Sequence, residues 1–300
     1  MTTLAADGRS VRLERLRARL AELDRVVVAF SGGADSAFLA KVATDTLGPA
    51  RVLCATAVSP SLAPEELADC AALAEEWGLR WETVPTSELD DPAYAANSTD
   101  RCYHCKSALM DALDALAPAV AARGPGTAAG RVVLGVNVDD LAEHRPGQQA
   151  AAERGARFPL VEAGMTKEDV RALSRRLGLR TWDKPAAACL ASRLPYGTPV
   201  TVSTLSSVAA AESALRALGF RRIRVRHYGD LARVELDVAD LADAVERRDQ
   251  VVAAVRAGGY RYVTLDLEGL RSGNLNDAAG VPTPADPAGV PGPTSGGADQ

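Results

Sequence analysis

A short apolar strand that runs directly into a glycine-rich turn and then a helix is the feature that most restricts how this chain can fold. Residues 25–30 (RVVVAF) are rich in β-branched side chains and are bounded by polar residues, which is typical of a buried strand. Residues 31–36 (SGGADS) follow, and an apolar helical pattern runs on to residue 47. This order predicts a turn at the carboxyl end of the strand, where open α/β sheets bind ligands.

Strands and helices alternate along the first two thirds of the chain. Further strands are predicted at residues 51–57, 80–84 and 131–136, and helices at residues 34–47, 64–77, 103–116 and 166–177. Strands separated by helices at this spacing indicate βαβ units. We therefore predict an α/β fold with a doubly wound parallel sheet.

The pattern changes after residues 185–199, which lack clear periodicity and are predicted as a loop. Next come a helix, two strands, a helix and a strand, at residues 203–218, 222–227, 231–237, 241–257 and 260–267. This order predicts a second, smaller α+β domain. We expect three parts, namely a large α/β domain over residues 1–195, the smaller domain over residues 196–276 and a disordered tail rich in proline and glycine over residues 277–300.

Charge and composition argue against several classes of protein. The net charge is -5 and the sequence pI is about 5.4, so the chain has no global basic field and no nucleic-acid partner is expected. No run of roughly 18 apolar residues occurs and residues 1–19 are charged, so neither a membrane span nor a signal peptide is expected. Five cysteines, an odd number, argue against a disulfide framework in a chain of this length. The expected location is the cytoplasm.

The composition of residues 31–36 is that of an anion site. Gly32 and Gly33 allow the backbone to approach a ligand closely, and the first amides of the following helix point toward the turn with the positive end of the helix dipole. Ser31 and Ser36 can add hydroxyl donors. Since no lysine follows Gly33, the loop is not a Walker A loop. We predict that it binds phosphate groups.

The five cysteines fall into two groups. Cys54 lies in a predicted strand and Cys70 in a predicted helix, so both are predicted as core residues. Cys102 and Cys105 have a C-x-x-C spacing, which suits a metal ion, a cluster or a redox disulfide but is weak evidence alone, because metal sites normally need three or four ligands. Cys189 lies in the irregular loop near positive charges, a setting typical of an activated nucleophile. The sequence alone does not show whether these last three cysteines meet.

Two arginines alternate along a strand of the smaller domain. Arg224 and Arg226 are predicted to point to one face, because side chains two residues apart on a strand do so. Two guanidinium groups on one face suit a phosphate group, and a solvated β face is the alternative. Glu235 on the next strand is predicted either to bind a metal ion or to orient these arginines.

Several motifs in a fixed order resemble those of the LarE family. They are SGGADS, RCYHCK, LGVNVDDLAEHRPG, WDKPAAACLASRLPYGTP, RVRHYGDLARVE and YRYVTLDLEGLRSGNLN, and the resemblance covers roughly residues 10–276. The first motif also resembles the PP-loop of the ATP pyrophosphatases, which split ATP between its α and β phosphates. The resemblance implies a PP-loop fold and an ATP-dependent sulfur transferase. Its substrate would be a pyridinium mononucleotide, and its product a precursor of the nickel-pincer cofactor of lactate racemase.

The resemblance also implies the order of the chemistry. ATP with Mg²⁺ adenylates a substrate carboxylate, AMP leaves, and sulfur enters to give a thiocarboxylate. In one branch of the family the cysteine at the position of Cys189 gives up its own sulfur and becomes dehydroalanine. In the other branch three cysteines hold a [4Fe-4S] cluster that carries an extra sulfide. Because Cys102, Cys105 and Cys189 supply all three positions, the cluster is favoured, and self-sacrifice by Cys189 is the alternative.

Further roles follow from the resemblance, residue by residue. The ATP phosphates are assigned to the loop residues Ser31, Gly32, Gly33, Asp35 and Ser36. Asn137 and Asp139, which follow a predicted strand, are assigned to the adenylate or to Mg²⁺. The substrate and its nucleotide phosphate are assigned to Ser192, Arg193, Arg224 and Arg226. The resemblance also suggests a homo-oligomer.

Three other kinds of protein are alternatives. A PP-loop tRNA thiolase would share the adenylation and the cysteine chemistry, but the acidic balance and the lack of a basic segment with interleaved aromatic residues count against it. An amidotransferase or NAD synthetase uses ammonia, and its other motifs are missing. A non-catalytic iron–sulfur or zinc protein is disfavoured by the intact SGGADS loop.

Overall fold

The valine-rich segment predicted as the first strand lies inside a four-stranded parallel sheet. The computed structural model describes residues 7–118, 130–142, 146–185 and 187–271. Strand β1 (Val26–Ala29) pairs with β2 (Val52–Val58) on one side and with β4 (Arg131–Val133) on the other, and β3 (Trp81–Pro85) extends the sheet beyond β2. The strand order β3-β2-β1-β4 reverses at β1, which makes the β1–β4 crevice a switch point of the kind at which doubly wound sheets bind ligands.

Helices cover both faces of this sheet. In chain order they are α1 (Gly8–Leu23), α2 (Ala34–Leu47), α3 (Pro64–Trp77), α4 (Pro92–Ala95), α5 (Arg101–Asp114), α6 (Pro146–Glu153), α7 (Pro159–Glu162) and α8 (Lys167–Arg176). The apolar faces of α1, α2, α3 and α8 share one core with the sheet. On the opposite face, α5 and α6 bury Met110, Leu113 and Ala151 against it. A strand covered on both faces is apolar at each residue, as β1 is, and the layers confirm the predicted α/β fold.

A three-stranded sheet follows in the last part of the described chain. Its strands are β5 (Ile223–Tyr228), β6 (Leu231–Leu236) and β7 (Tyr262–Leu265), in the order β5-β6-β7. The β5–β6 pair is antiparallel and the β6–β7 pair is parallel. Helices α9 (Val202–Ala217) and α11 (Arg248–Ala257) contact each other and pack on this sheet around a separate apolar core.

The helix predicted over residues 241–257 is two helices. Helix α10 (Leu241–Glu246) ends before Arg247, whose φ of -97° and ψ of 24° depart from helical geometry, and α11 begins after it. The guanidinium of Arg247 donates a hydrogen bond to the carbonyl of Leu218 at 2.8 Å and pairs with Asp243. A tertiary contact therefore accompanies the break that the local pattern did not indicate.

Helix α1 has no counterpart among the predicted elements. Leu13, Leu16 and Leu20 are buried at helical spacing, but charged residues fill the segment and obscure its apolar stripe. The predicted tail over residues 277–300 lies outside the described residues. Among the helices within the described ranges, none is long and apolar enough to cross a membrane.

Candidate functional site

The loop between β1 and α2 leads directly into the first turn of α2. Gly33 is the N-cap of α2, and no side chain caps the helix, which leaves its first amides without a capping acceptor. The hydroxyl oxygens of Ser31 and Ser36 lie 3.0 Å apart at this turn. Gly32 has a φ of +68°, and a Cβ there would lie 2.9 Å from the Sγ of Cys70, so glycine is required both for conformation and for space.

A cavity of about 250 Å³ opens beside this loop at the carboxyl ends of β1 and β2. Its polar lining includes Ser31, Asp35, Ser36, Thr56 and Lys106. The lysine belongs to α5 and directly follows Cys105 in the sequence. One helix thus lines the cavity and also carries two of the predicted sulfur-site cysteines. The sequence pattern does not indicate that Lys106 lines this cavity, because only the fold brings α5 to the end of the sheet.

We call residues 31–36 the phosphate loop. Gly135, to which the sequence analysis assigns no role, packs directly against this loop. A Cβ at this position would lie 2.7 Å from the amide nitrogen of Ser36 and 2.8 Å from the carbonyl carbon of Asp35. Any side chain would therefore displace the start of α2. Strand β4 ends at Val133, two residues before Gly135, rather than at the predicted residue 136. A glycine inside the apolar run of residues 132–136 is the available sequence signal.

The predicted residues Asn137 and Asp139 meet the other side of the phosphate loop. Asn137 is 1% exposed, and its side-chain amide donates to Asp35 at 3.3 Å. The side-chain oxygen Oδ1 of Asn137 accepts from the backbone amide of Asp139 at 3.0 Å. The carboxylate of Asp139 accepts from the backbone amide of Lys167 at 2.7 Å, and the Lys167 ammonium pairs with Asp35. Lys167, at the start of α8, is a second site residue that the sequence reasoning had left without a role.

The cysteines separate as predicted. Cys54 and Cys70 are fully buried in the core, whereas Cys102 and Cys189 are exposed and Cys105 is partly buried. Burial raises the pKa of the Cys105 thiol to about 12, and the charges of Cys189 and Cys102 act on it in the same direction. The loop that carries Cys189 contacts the start of α5, where the guanidinium of Arg101 donates to the carbonyl of Ala191 at 2.8 Å. In the portion of the chain that the structure describes, no three His, Cys, Asp or Glu side chains lie close enough to hold a single metal ion.

We call residues 187–198 the Cys189 loop. The side chain of Arg193, which is 7% exposed, forms hydrogen bonds with the backbone of this loop. The guanidinium donates to the carbonyls of Ala188 at 2.8 Å and Cys189 at 3.2 Å, and it pairs with Glu212 of α9 at 2.8 Å. Arg193 was predicted to face the substrate, but these contacts show it fixing the backbone around Cys189. Glu212 is fully buried and also accepts from the amide of Val225 at 3.0 Å.

Arg226 holds the same loop from β5. It is 3% exposed and donates to the carbonyl of Ser192 at 2.9 Å. Its Nε donates to Glu235 at 3.0 Å, and Arg233 donates to the other oxygen of that carboxylate at 2.9 Å. Of the two predicted roles of Glu235, these contacts favour orienting arginines over binding a metal ion, because both oxygens already accept from guanidinium groups.

Arg224 differs from the other arginines of this face. Its guanidinium donates to the carbonyl of Arg271 at 3.1 Å, and it has no ion pair with any carboxylate among the described residues. Burial, together with the positive charges of Arg226 and Arg193, lowers its pKa to about 10. An arginine with a lowered pKa marks a locally positive environment, in which an anionic group would be stabilised.

Replacing Glu235 with glutamine is expected to destabilise the protein by about 3–5 kcal/mol, because Arg226 would keep a buried charge without its partner. The free energy of unfolding is measured by urea denaturation. Glu14→Gln is the matched control, since its pair with Arg17 is exposed and such pairs contribute below about 1 kcal/mol. Equal stabilities of the two variants would contradict the assigned role of Glu235.

Three comparisons with known proteins bear on this site. Residues 13–112 match the family described as NAD synthase, a segment that contains the phosphate loop but ends before Asn137 and Cys189. The chain is 48% identical over 267 residues to an uncharacterised protein of Synechocystis, covering 88% of this chain and 97% of that protein. It is 25% identical over 248 residues to an uncharacterised protein of Methanocaldococcus jannaschii, covering 83% of this chain and 91% of the other.

A further relative has a named activity. The pyridinium-3,5-bisthiocarboxylic acid mononucleotide synthase of Lactiplantibacillus plantarum is 41% identical over 262 residues, which cover 87% of this chain and 92% of that protein. The matched length is large enough to take in both the β1–α2 loop and the second sheet, so the likeness extends well beyond the nucleotide-binding segment.

Proposed function

Since this chain belongs to the LarE family of ATP-dependent sulfur transferases, we propose that it converts pyridinium-3,5-biscarboxylic acid mononucleotide into the corresponding bisthiocarboxylate. This product would be the precursor of the nickel-pincer cofactor of lactate racemase. The observation that carries the proposal is the placement of α5. That helix lines the cavity beside the phosphate loop through Lys106 and carries Cys102 and Cys105 at its start.

The first half of the reaction uses the phosphate loop. A carboxylate oxygen of the substrate attacks the α-phosphorus of ATP, the bond to the β-phosphate breaks, and pyrophosphate leaves. Ser31, Gly32, Gly33 and Ser36 would hold the phosphates through backbone amides and hydroxyls. Mg²⁺, when bound near Asp35 and Asp139, would neutralise charge on the leaving pyrophosphate. The Lys167 ammonium, now paired with Asp35, is placed to do the same from the protein side.

The second half of the reaction uses the cysteines. Sulfur attacks the carbonyl carbon of the acyl adenylate, the carbon–oxygen bond to AMP breaks, and a thiocarboxylate forms. Three free thiols, those of Cys102, Cys105 and Cys189, support the proposal of an iron–sulfur cluster, because thiolates are the usual cluster ligands. A [4Fe-4S] cluster bound by Cys102, Cys105 and Cys189 would supply a sulfide on its fourth iron. Alternatively, Cys189 attacks with its own sulfur, loses its α-proton and leaves as dehydroalanine when its Cβ–S bond breaks.

Arg224 is the residue best placed to bind the nucleotide phosphate of the substrate. Arg193 and Arg226 already hold the Cys189 loop, whereas Arg224 has no carboxylate partner among the described side chains. Ser192, beside Cys189, would contact the same substrate. The remaining parts of the proposal are a homo-oligomeric enzyme in the cytoplasm and three segments of the chain. They are a PP-loop domain over residues 1–195, a domain for substrate binding or oligomerisation over residues 196–276 and a disordered tail over residues 277–300.

Replacing Arg224 with alanine is expected to raise the KM for the mononucleotide about 10- to 100-fold, since a charge-assisted hydrogen bond contributes about 1.5–3 kcal/mol. The KM for ATP is expected to stay within about twofold, because Arg224 lies on the second sheet. Steady-state kinetics of pyrophosphate release measures both constants. Arg222→Ala is the control, since that exposed arginine pairs with Asp237 outside the site. A parallel rise in both KM values would contradict the assignment.

The proposed function is tested by anaerobic purification followed by iron, sulfide and absorbance measurements, and by mass spectrometry after turnover. A cluster chromophore together with repeated thiocarboxylate formation supports the cluster as sulfide carrier. Colourless protein that loses about 34 Da, the mass of H₂S, supports sacrifice of Cys189. If the protein forms no thiocarboxylate from the mononucleotide but thiolates transfer RNA, the proposal is wrong and the protein is a PP-loop tRNA thiolase.

A further inference from the structure

Arg101 is a buried arginine that connects the two cysteine-bearing segments. It is 6% exposed and is the first residue of α5, immediately before Cys102. One of its terminal nitrogens donates to the backbone carbonyl of Ala191 at 2.8 Å. Ala191 lies two residues after Cys189. A single guanidinium therefore joins the start of the cysteine helix to the Cys189 loop.

The same nitrogen of Arg101 also donates to the side-chain oxygen of Asn97 at 2.6 Å. Asn97 is fully buried and has a φ of +56°. Its amide nitrogen donates to the carbonyls of Pro195 at 2.8 Å and Thr198 at 2.9 Å. Asn97 thus fixes the far end of the Cys189 loop and at the same time orients Arg101, so the guanidinium position is determined by two separate anchors.

The charge of Arg101 is not balanced as that of its neighbours is. Arg193 pairs with Glu212 and Arg226 pairs with Glu235, but Arg101 has no ion pair with any carboxylate in the described ranges. Burying a cation without a counter-ion costs several kcal/mol. Arg101 directly precedes Cys102 and donates to the loop that carries Cys189, so its positive charge lies between the two cysteine-bearing segments.

We propose that Arg101 is the positioning residue of the sulfur site, which links the Cys189 loop to α5 and supplies the fixed positive charge that an anionic thiolate-bound sulfur species requires. This inference rests on the proposed function, because it assumes that the three cysteines hold a sulfur species in common. It assigns to one side chain two effects that can be measured separately, namely the rigidity of the loop and the electrostatic stabilisation of the bound group.

The test uses four variants of the full chain. Arg101→Gln and Arg101→Met remove a buried charge that has no carboxylate counter-ion among the described residues, so at least one of the two is expected to fold. Arg101→Lys retains the charge. Arg154→Gln is the matched control, because Arg154 also contacts α5, at Asp111 and Ser107, but on its exposed side. Each protein is reconstituted anaerobically with iron and sulfide.

Iron affinity is expected to fall about tenfold in the neutral variants, as is usual when a residue behind metal ligands is removed. The midpoint potential of the bound cluster is expected to become more negative, because reduction adds negative charge that Arg101 no longer stabilises. Arg101→Lys is expected to restore the potential. In the apoproteins, hydrogen exchange of residues 188–196 is expected to be about tenfold faster without the link to Ala191, and unchanged in Arg154→Gln.

A folded neutral variant with the wild-type iron affinity, potential and exchange rates would overturn the inference and leave the proposed function intact. Wild-type protein that binds no iron would instead refute the cluster. In that case the exchange experiment alone decides: faster exchange in the neutral variants supports the link through Arg101, and unchanged exchange overturns it.

Discussion

Replacing Cys189 with alanine is expected to abolish thiocarboxylate formation, by about 10³-fold or more, while ATP-dependent pyrophosphate release continues. Cys189 is exposed and belongs to the Cys189 loop, whereas the residues proposed for adenylation lie at the phosphate loop. The two half-reactions therefore depend on different residues. Pyrophosphate release and thiocarboxylate formation are measured on the same samples, the first by a coupled assay and the second by mass spectrometry.

Cys54→Ala is the control for this experiment, because Cys54 is fully buried in a strand and contacts no part of the sulfur site. It is expected to keep both half-reactions. Sulfur transfer retained in Cys189→Ala would refute both proposed sulfur sources, since each requires that sulfur atom. Loss of pyrophosphate release in the same variant would show instead that the two half-reactions share residues.

Replacing Gly135 with alanine is expected to reduce adenylation about 100-fold, because the new Cβ would lie 2.7 Å from the Ser36 amide nitrogen. The Ser36 amide nitrogen and the Asp35 carbonyl carbon are both backbone atoms, so neither can move away without displacing the start of α2. A displacement of about 1 Å at a phosphate-binding loop is enough to cost two orders of magnitude in rate. Substrate-dependent pyrophosphate release measures the effect.

Gly8→Ala provides the matched glycine control. A Cβ at Gly8 would meet only the flexible end of Arg12, at 3.8 Å or more, and alanine favours a helix over glycine. That variant is expected to adenylate at the wild-type rate. If Gly135→Ala retained full activity, the phosphate loop would have to tolerate a shift of α2, and its proposed role in fixing the triphosphate would be wrong.

The local parts of the fold were predictable because their signals are short-range. The valine run, the two glycines and the apolar helix that follows them lie within 25 residues, and each favours the same strand–turn–helix unit. The parallel sheet followed from repetition of that unit. The separation of Cys54 and Cys70 from the other cysteines was also predictable, because both lie in regular elements with apolar neighbours.

The rest of the site depends on contacts between distant segments, which a single sequence does not encode visibly. Gly135 matters only because the end of β4 touches the start of α2. Lys167 meets Asp35 across 132 positions of sequence, and Arg101 meets Ala191 across 90. Arg193 is predicted to face the substrate because it lies near Cys189 in the sequence. In the structure it pairs instead with Glu212, a buried residue of α9. Side-chain direction at such positions is decided by tertiary partners.

Two of the buried carboxylates, Glu212 and Glu235, also constrain how this protein can diverge. Glu212 and Glu235 lie on the second sheet and its helix, while the arginines that they balance include Arg193 of the Cys189 loop. A change at either carboxylate leaves an arginine charge buried, and a change at the arginine leaves a carboxylate buried, so each single step is selected against. Across an alignment of relatives, we expect these positions to vary together or not at all. Chimaeras that join the first part of one homologue to the second part of another should therefore fold only when both partners carry the same pairs.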